Sequence, residues 1–170
     1  MKKIMFMLIA ATVAATASAS LVKWGLQQGQ SLSDITSGTM YLVYGAVPST
    51  DWSAKTSYAQ SDLTGVVALQ GTVTGGTYLD SAGTSVVPSD IGVTGNGMKG
   101  FYAAVIADDG KSIAVSNLKN INISTSSMTV SALWTSSNFT TYTPSAIPEP
   151  TRGLLLLVGA GMLALRRKRK

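Results

Sequence analysis

Few side chains in this 170-residue chain are suited to chemistry, and their spacing argues against most of it. There is no His and no Cys, which removes the commonest zinc ligands and the usual general base. Asp108-Asp109 is an adjacent carboxylate pair, followed by Gly110-Lys111. Neighbours on a strand point to opposite faces, and a turn accounts for all four residues. The alternating Asp/Asn ligands of a calcium loop are missing as well. Lys111 and Ser112 diverge in the same way and do not form a Ser–Lys dyad. The side chains able to stack on sugar rings are Trp24, Trp52 and Trp134, with Tyr41, Tyr58 and Tyr78. Trp134 and Tyr44 fall in apolar alternations and read as core. Trp52, within the polar stretch 49–57, is the better candidate for exposure, although a loop Trp tucked onto the domain edge is the commoner outcome. No catalytic, metal-binding or cofactor-binding set emerges, so the chain reads as a non-enzyme without a cofactor.

The two ends carry far clearer signals. At the N-terminus, Lys2-Lys3 precedes an apolar run over 4–15 and the small residues Ala17-Ser18-Ala19. That is the layout of a secretory signal peptide over 1–19, cleaved after Ala19 to leave Ser20 first. No Cys follows the apolar run, which excludes lipoprotein processing. There is also no prepilin-type Gly with Phe and Glu just inside it.

At the C-terminus, Pro148-Glu149-Pro150 lies in a Pro-rich linker over 144–152, followed by 13 apolar residues over 153–165. As a helix those residues reach only about 20 Å, against a hydrocarbon core about 30 Å thick. Snorkelling of the long side chains that follow and local thinning of the bilayer absorb the difference. Arg166, Arg167, Lys168, Arg169 and Lys170 form a basic cytoplasmic tail that stops transfer. Each proline disfavours helix at the residue before it, so Glu149 is expected in an extended peptide just outside the membrane, a form suited to an enzyme cleft.

Pro148-Glu149-Pro150-Thr151, the Leu/Gly/Ala-rich stretch and the terminal basic run together resemble the PEP-CTERM sorting domain. Ice-binding proteins are among the chains that share this tail. One departure is Arg152, a charge where the family is usually apolar. The resemblance implies recognition and removal of the tail by an exosortase, in a Gram-negative-type bacterium that makes exopolysaccharide. It covers about 23 of the 170 residues and is silent on the domain between the two signals.

That domain, 20–143, is one unit long enough to bury a core without disulfides. Most of the chain's basic residues belong to its ends. Residues 20–147 hold five Lys against seven Asp, a net of −2, which leaves no basic patch for nucleic acid. Ser and Thr make up close to three residues in ten of the domain, as on secreted β-rich surfaces.

The elements that must position these side chains read as short strands. Residues 39–45 place Met40, Leu42 and Tyr44 on one face and Tyr41 and Val43 on the other, a central strand buried on both sides. Residues 101–107 are similar. They lead through Asp108-Asp109-Gly110-Lys111 into 112–117, where a type I′ hairpin at Asp109-Gly110 is expected. Residues 120–124 and 128–134 also alternate, the latter with Met128, Val130, Ala132 and Trp134 together. Residues 66–74 fit a strand with Val67, Leu69 and Val73 inward, or a short helix capped near Ser61-Asp62; over 61–70 that choice stays open. Thr72-Val73-Thr74 puts two threonines on one strand face, the unit of ice-binding arrays, but a single copy cannot match a lattice.

The reading is therefore a mainly β protein, a single antiparallel sandwich of immunoglobulin-like type with the jelly roll as alternative. It is flanked by a signal helix and a short transmembrane helix. Its expected role is structural or adhesive, at the cell envelope surface or in the extracellular matrix. The alternative is a carbohydrate-binding module for exopolysaccharide. The partners expected are signal peptidase, an exosortase-type enzyme and, transiently through the tail, the membrane.

Overall fold

The computed structural model describes residues 19–124 and 126–144. Ala17 and the rest of the signal up to residue 18 lie outside the described residues. So do Pro148, Glu149 and Pro150, the apolar span, and the cluster Arg166, Arg167, Lys168, Arg169, Lys170. Among the described residues no helix is long and apolar enough to cross a membrane.

The described residues form a mainly β domain of nine strands. These are β1 (Ser20–Leu26), β2 (Ser37–Tyr44), β3 (Val66–Thr74), β4 (Leu79–Val86) and β5 (Gly97–Ala107). They continue with β6 (Ile113–Ser116), β7 (Lys119–Ile123), β8 (Met128–Trp134) and β9 (Phe139–Tyr142). A three-stranded sheet has the order β4-β1-β8, and a six-stranded sheet the order β3-β2-β5-β6-β9, with β7 also paired to β5. Pairing is antiparallel except between β1 and β8, which run parallel. Two points correct the expectation. The sheets are not wholly antiparallel, and β1 and β2 lie in different sheets. The immunoglobulin order would make its first two strands neighbours. β1 pairs instead with strand 128–134, in unbroken parallel register from Ser20↔Met128 to Leu26↔Trp134.

The inner faces of the two sheets share one core. Val22, Trp24 and Leu26 of β1 and Ala132 and Trp134 of β8 meet Met40 and Leu42 of β2 and Phe101, Ala103 and Val105 of β5. The period-2 alternation of strands sends the intervening residues the other way. Val43, Tyr102, Ala104, Ile106, Ile113 and Val115 form a second cluster on the outer face of the six-stranded sheet. β2 and β5 are thus central strands buried on both sides, as their composition predicts.

Residues 66–74 are a strand, paired with β2 along their length; the Gln60–Asp62 turn before them is a 3-10 turn and does not extend into a helix. The register slips between Leu42↔Leu69 and Val43↔Val67. This bulge turns Val67 to the outer cluster while Leu69 and Val73 pack inward, so the three do not share the single face expected of them. A second interruption falls between β6 and β7. There Ser116 Oγ accepts from the Ala103 N–H at 2.8 Å and donates to the Asn117 carbonyl at 2.9 Å, a side chain standing in for the broken ladder.

The β5–β6 hairpin falls where Asp-Gly places it, but with a different turn. Among the described residues only glycines have positive φ, so Asp109 is not left-handed and type I′ does not form. Instead the Gly110 N–H donates to the Ala107 carbonyl at 2.9 Å, closing a turn through Asp108 and Asp109. Gly110 follows at φ +64°, with its absent Cβ 3.2 Å from the Tyr58 carbonyl oxygen. The four-residue loop needs only one left-handed position. Replacing Gly110 with Val should destabilise the domain by at least ~1 kcal/mol, because a β-branched side chain is strained at positive φ. Thermal melts that superimpose on wild type would show that Gly110 is not under this constraint.

Candidate functional site

The aromatic side chains considered for stacking are distributed by packing. Trp24, Trp52 and Trp134 are 0%, 2% and 1% exposed. Trp134 belongs to the core, as expected. Its Nε1 donates to the Asn117 carbonyl, and Lys119 Nζ lies 5.6 Å over its ring while donating to the Leu133 carbonyl. These contacts tie the two sheets together at one end. Trp24 packs against Tyr78, ring centroids 4.8 Å apart. Tyr78 in turn lies over Gly71, where a Cβ would stand 2.1 Å from the ring. Tyr78 is half-buried, and its burial raises the hydroxyl pKa.

Trp52 takes the commoner of its two expected outcomes. Despite the polarity of 49–57, the side chain is tucked in and closes the outer cluster of the six-stranded sheet. A 3-10 turn, Trp52–Ala54, starts at Asp51, whose carboxylate accepts from the Ser53 N–H at 3.1 Å and the Ser53 hydroxyl at 2.6 Å. Tyr58 packs against the indole at 6.1 Å and donates its hydroxyl to the Trp52 carbonyl at 2.8 Å. Lys55 pairs with Asp62 at 2.6 Å, and Asp62 also accepts from the Ala59 N–H. These bonds hold the Asp62 carboxyl below its ordinary range. Tyr102 reaches the Thr64 carbonyl at 2.9 Å, and burial pushes its hydroxyl up to about 12. The segment 45–65 is therefore a fitted cover for the sheet. Its signal in the sequence was indirect. Two strands apolar on both faces need a cover, and Trp52, Tyr58 and Leu63 recur at the spacing of anchors in an otherwise polar stretch.

The charged candidates stay apart. Asp108 and Asp109 are exposed in the β5–β6 turn, where Asp109 accepts from the Lys111 N–H at 2.8 Å. Among the described residues no group of three His, Cys, Asp or Glu is placed to hold a metal ion. Thr72 and Thr74 are exposed on β3 and pair across the ladder with Thr39 and Ser37. They make two cross-strand hydroxyl pairs on the outer face, where the sequence offered a single strand's worth.

Of the predicted signal-cleavage residues, Ala19 and Ser20 are described. Ser20 opens β1 and is fully buried; its hydroxyl donates to the Ser124 carbonyl at 3.1 Å and accepts from the Ser124 N–H at 3.0 Å.

Open clefts lie among the described residues. One, of about 440 Å³, is lined mostly by hydroxyls, with Ser31, Ser33, Asp34 and Ser136 beside Leu32 and Phe139. Another, of about 470 Å³, lies beside Gln27, Gln28 and Gln30 at the end of β1. No protein-family model matches the chain, and neither a curated protein nor a solved structure matches it.

Proposed function

We propose that the protein is a non-catalytic structural or adhesive component of the cell surface or extracellular matrix. On this reading it is exported by the signal over 1–19 and released through Pro148-Glu149-Pro150 by an exosortase-type enzyme. The observation that carries the structural role is the outer face of the three-stranded sheet. Alternation from buried Val22, Trp24 and Ala132 turns Leu21, Lys23, Thr129 and Ser131 outward, next to Gly83 and Ser85 of β4. This face carries exposed hydroxyls beside Leu21 and Lys23, with no ring platform among the residues it presents. It suits many weak contacts spread over an area better than one ligand held in a pocket.

The second reading, a carbohydrate-binding module, draws on the hydroxyl-lined cleft. There a carboxylate (Asp34) and an aromatic side chain (Phe139) lie within one lining, the mixture that sugar hydroxyls and ring faces use. Co-sedimentation of the exported protein with the cell's own purified exopolysaccharide separates the two. The structural reading expects it to remain in the supernatant at every polysaccharide concentration. Saturable depletion, abolished by Asp34→Ala, would replace that reading with the carbohydrate-binding one.

A further inference from the structure

β1 has a partner strand on each side, and the two partners reach each other only through it. It is the middle strand of its sheet, antiparallel to β4 and parallel to β8, and those two have no pairing with each other. Its inward residues Val22, Trp24 and Leu26 are at most 1% exposed. Without β1, a slot two strand spacings wide, about 9.6 Å, would run between β4 and β8. Its floor would be the inner face of the six-stranded sheet.

β1 is held by ladders on both sides and by the Ser20–Ser124 bonds, all of which an exchanged strand would remake, and its link to the rest of the chain is short. On its C-terminal side the chain makes a turn closed by the Gln30 N–H donating to the Gln27 carbonyl at 3.0 Å. Gln27, Gln28 and Gly29 are exposed, and the chain is next buried at Leu32 and Ile35. The turn borders the open cleft of about 470 Å³, and straightening it gives up at most the two bonds that Gln30 Oε1 accepts from the Ser136 N–H at 3.1 Å and the Ser136 hydroxyl at 2.9 Å. Extended, residues 27–31 reach about 16 Å. The indole N–H of Trp24 is buried without a hydrogen-bond partner, a bond that water makes when the strand is withdrawn.

We propose that β1 of one copy seats between β4 and β8 of a second copy of this chain, in the register it keeps with its own partners. The occupant is identified by fit. This strand already fills this slot, and an exchanged strand makes the same ladders and buries the same side chains. The free-energy difference is then confined to opening the turn and to association. A copy that gives its strand forward and receives one from behind extends head to tail. This deepens the structural role by naming the partner. The experiment below reads only where β1 sits, so its outcome is separate from where the protein is sorted or what it holds together.

The chain has no cysteine, so introduced thiols are unambiguous. Leu21 and Ser85 are paired across β1 and β4, and both are exposed. Full-length Leu21→Cys and Ser85→Cys chains, carrying different tags, are co-expressed in one host, where the oxidising export compartment forms the bridge. A disulfide-linked species bearing both tags is expected, and Leu21→Cys co-expressed with Ser61→Cys, which lies on the cover of the other sheet, should not give it. The double variant with both cysteines in one chain, reduced and then oxidised as the isolated monomer so that it bridges internally, should remain folded and lose the assembled species. The proposal is overturned if the two-tag species is no more abundant than in the Ser61→Cys control. It is equally overturned if the internally bridged chain assembles as well as wild type.

Discussion

Changing Glu149 to Ala is expected to stall the protein in the membrane while leaving its export intact. The substitution removes the central charge of Pro148-Glu149-Pro150 but does not touch the 13 apolar residues over 153–165 or the five cations after them. Insertion energy resides in the apolar residues, and orientation in the cations. If residues 153–165 span the bilayer, Glu149 falls outside the hydrocarbon and contributes to neither. A plain anchor would therefore behave identically with Ala at this position. A recognition motif would not, because flanking prolines favour an extended peptide, whose central charge an enzyme cleft can read. The expected result is accumulation of most of the protein as an uncleaved membrane form, with Arg166 to Lys170 still in the cytoplasm. Cell fractionation with mass spectrometry of the C-terminus distinguishes the cases. Identical processing and location for wild type and Glu149→Ala would end the motif-specific sorting hypothesis.

Trp52→Ala should be among the most destabilising single substitutions in the domain. Truncating a buried Trp typically costs about 3–5 kcal/mol, a large share of the roughly 5–15 kcal/mol that holds a domain together. Here the loss has a further consequence. The indole closes the outer cluster over Val43, Tyr102 and Ala104, and Tyr58 packs on it. Its removal should loosen the cover over 45–65 before the sheets separate. Denaturant melts should shift to a much lower midpoint, and limited proteolysis should cut first within 45–65. Trp52→Phe should keep most of the stability by refilling part of the volume. A sugar platform would behave in the opposite way, with binding lost and stability unchanged. An unaltered midpoint for Trp52→Ala would therefore return this residue to the list of ligand contacts.

The strands that were legible in the sequence are those that bury large side chains at a fixed period. Residues 39–45, 101–107 and 128–134 announce themselves because Met40, Leu42, Phe101, Val105 and Trp134 recur every second position. β4 does not. Its residues Leu79–Val86 are mostly short and exposed, and it is a strand because β1 lies beside it. Its bulge opposite Val22 and Trp24 is held by the Asp80 carboxylate, which accepts from the Gly83 N–H at 2.8 Å and the Thr84 hydroxyl at 2.6 Å.

The sequence by itself determined the β class, the double-sided burial of the central strands and the site of the β5–β6 hairpin. Each of these is a local matter of period, turn chemistry or uninterrupted hydropathy. Only the tertiary structure decided that Trp52 is buried, that Val67 faces away from Leu69, that β1 runs parallel to β8, and that Asp109 escapes the left-handed turn. Those outcomes depend on what lies across the gap. Trp52 is covered because a sheet with two apolar faces needs a second partner. β1 and β8 pair in register across a separation of more than a hundred positions. No local pattern in either segment encodes the presence of the other.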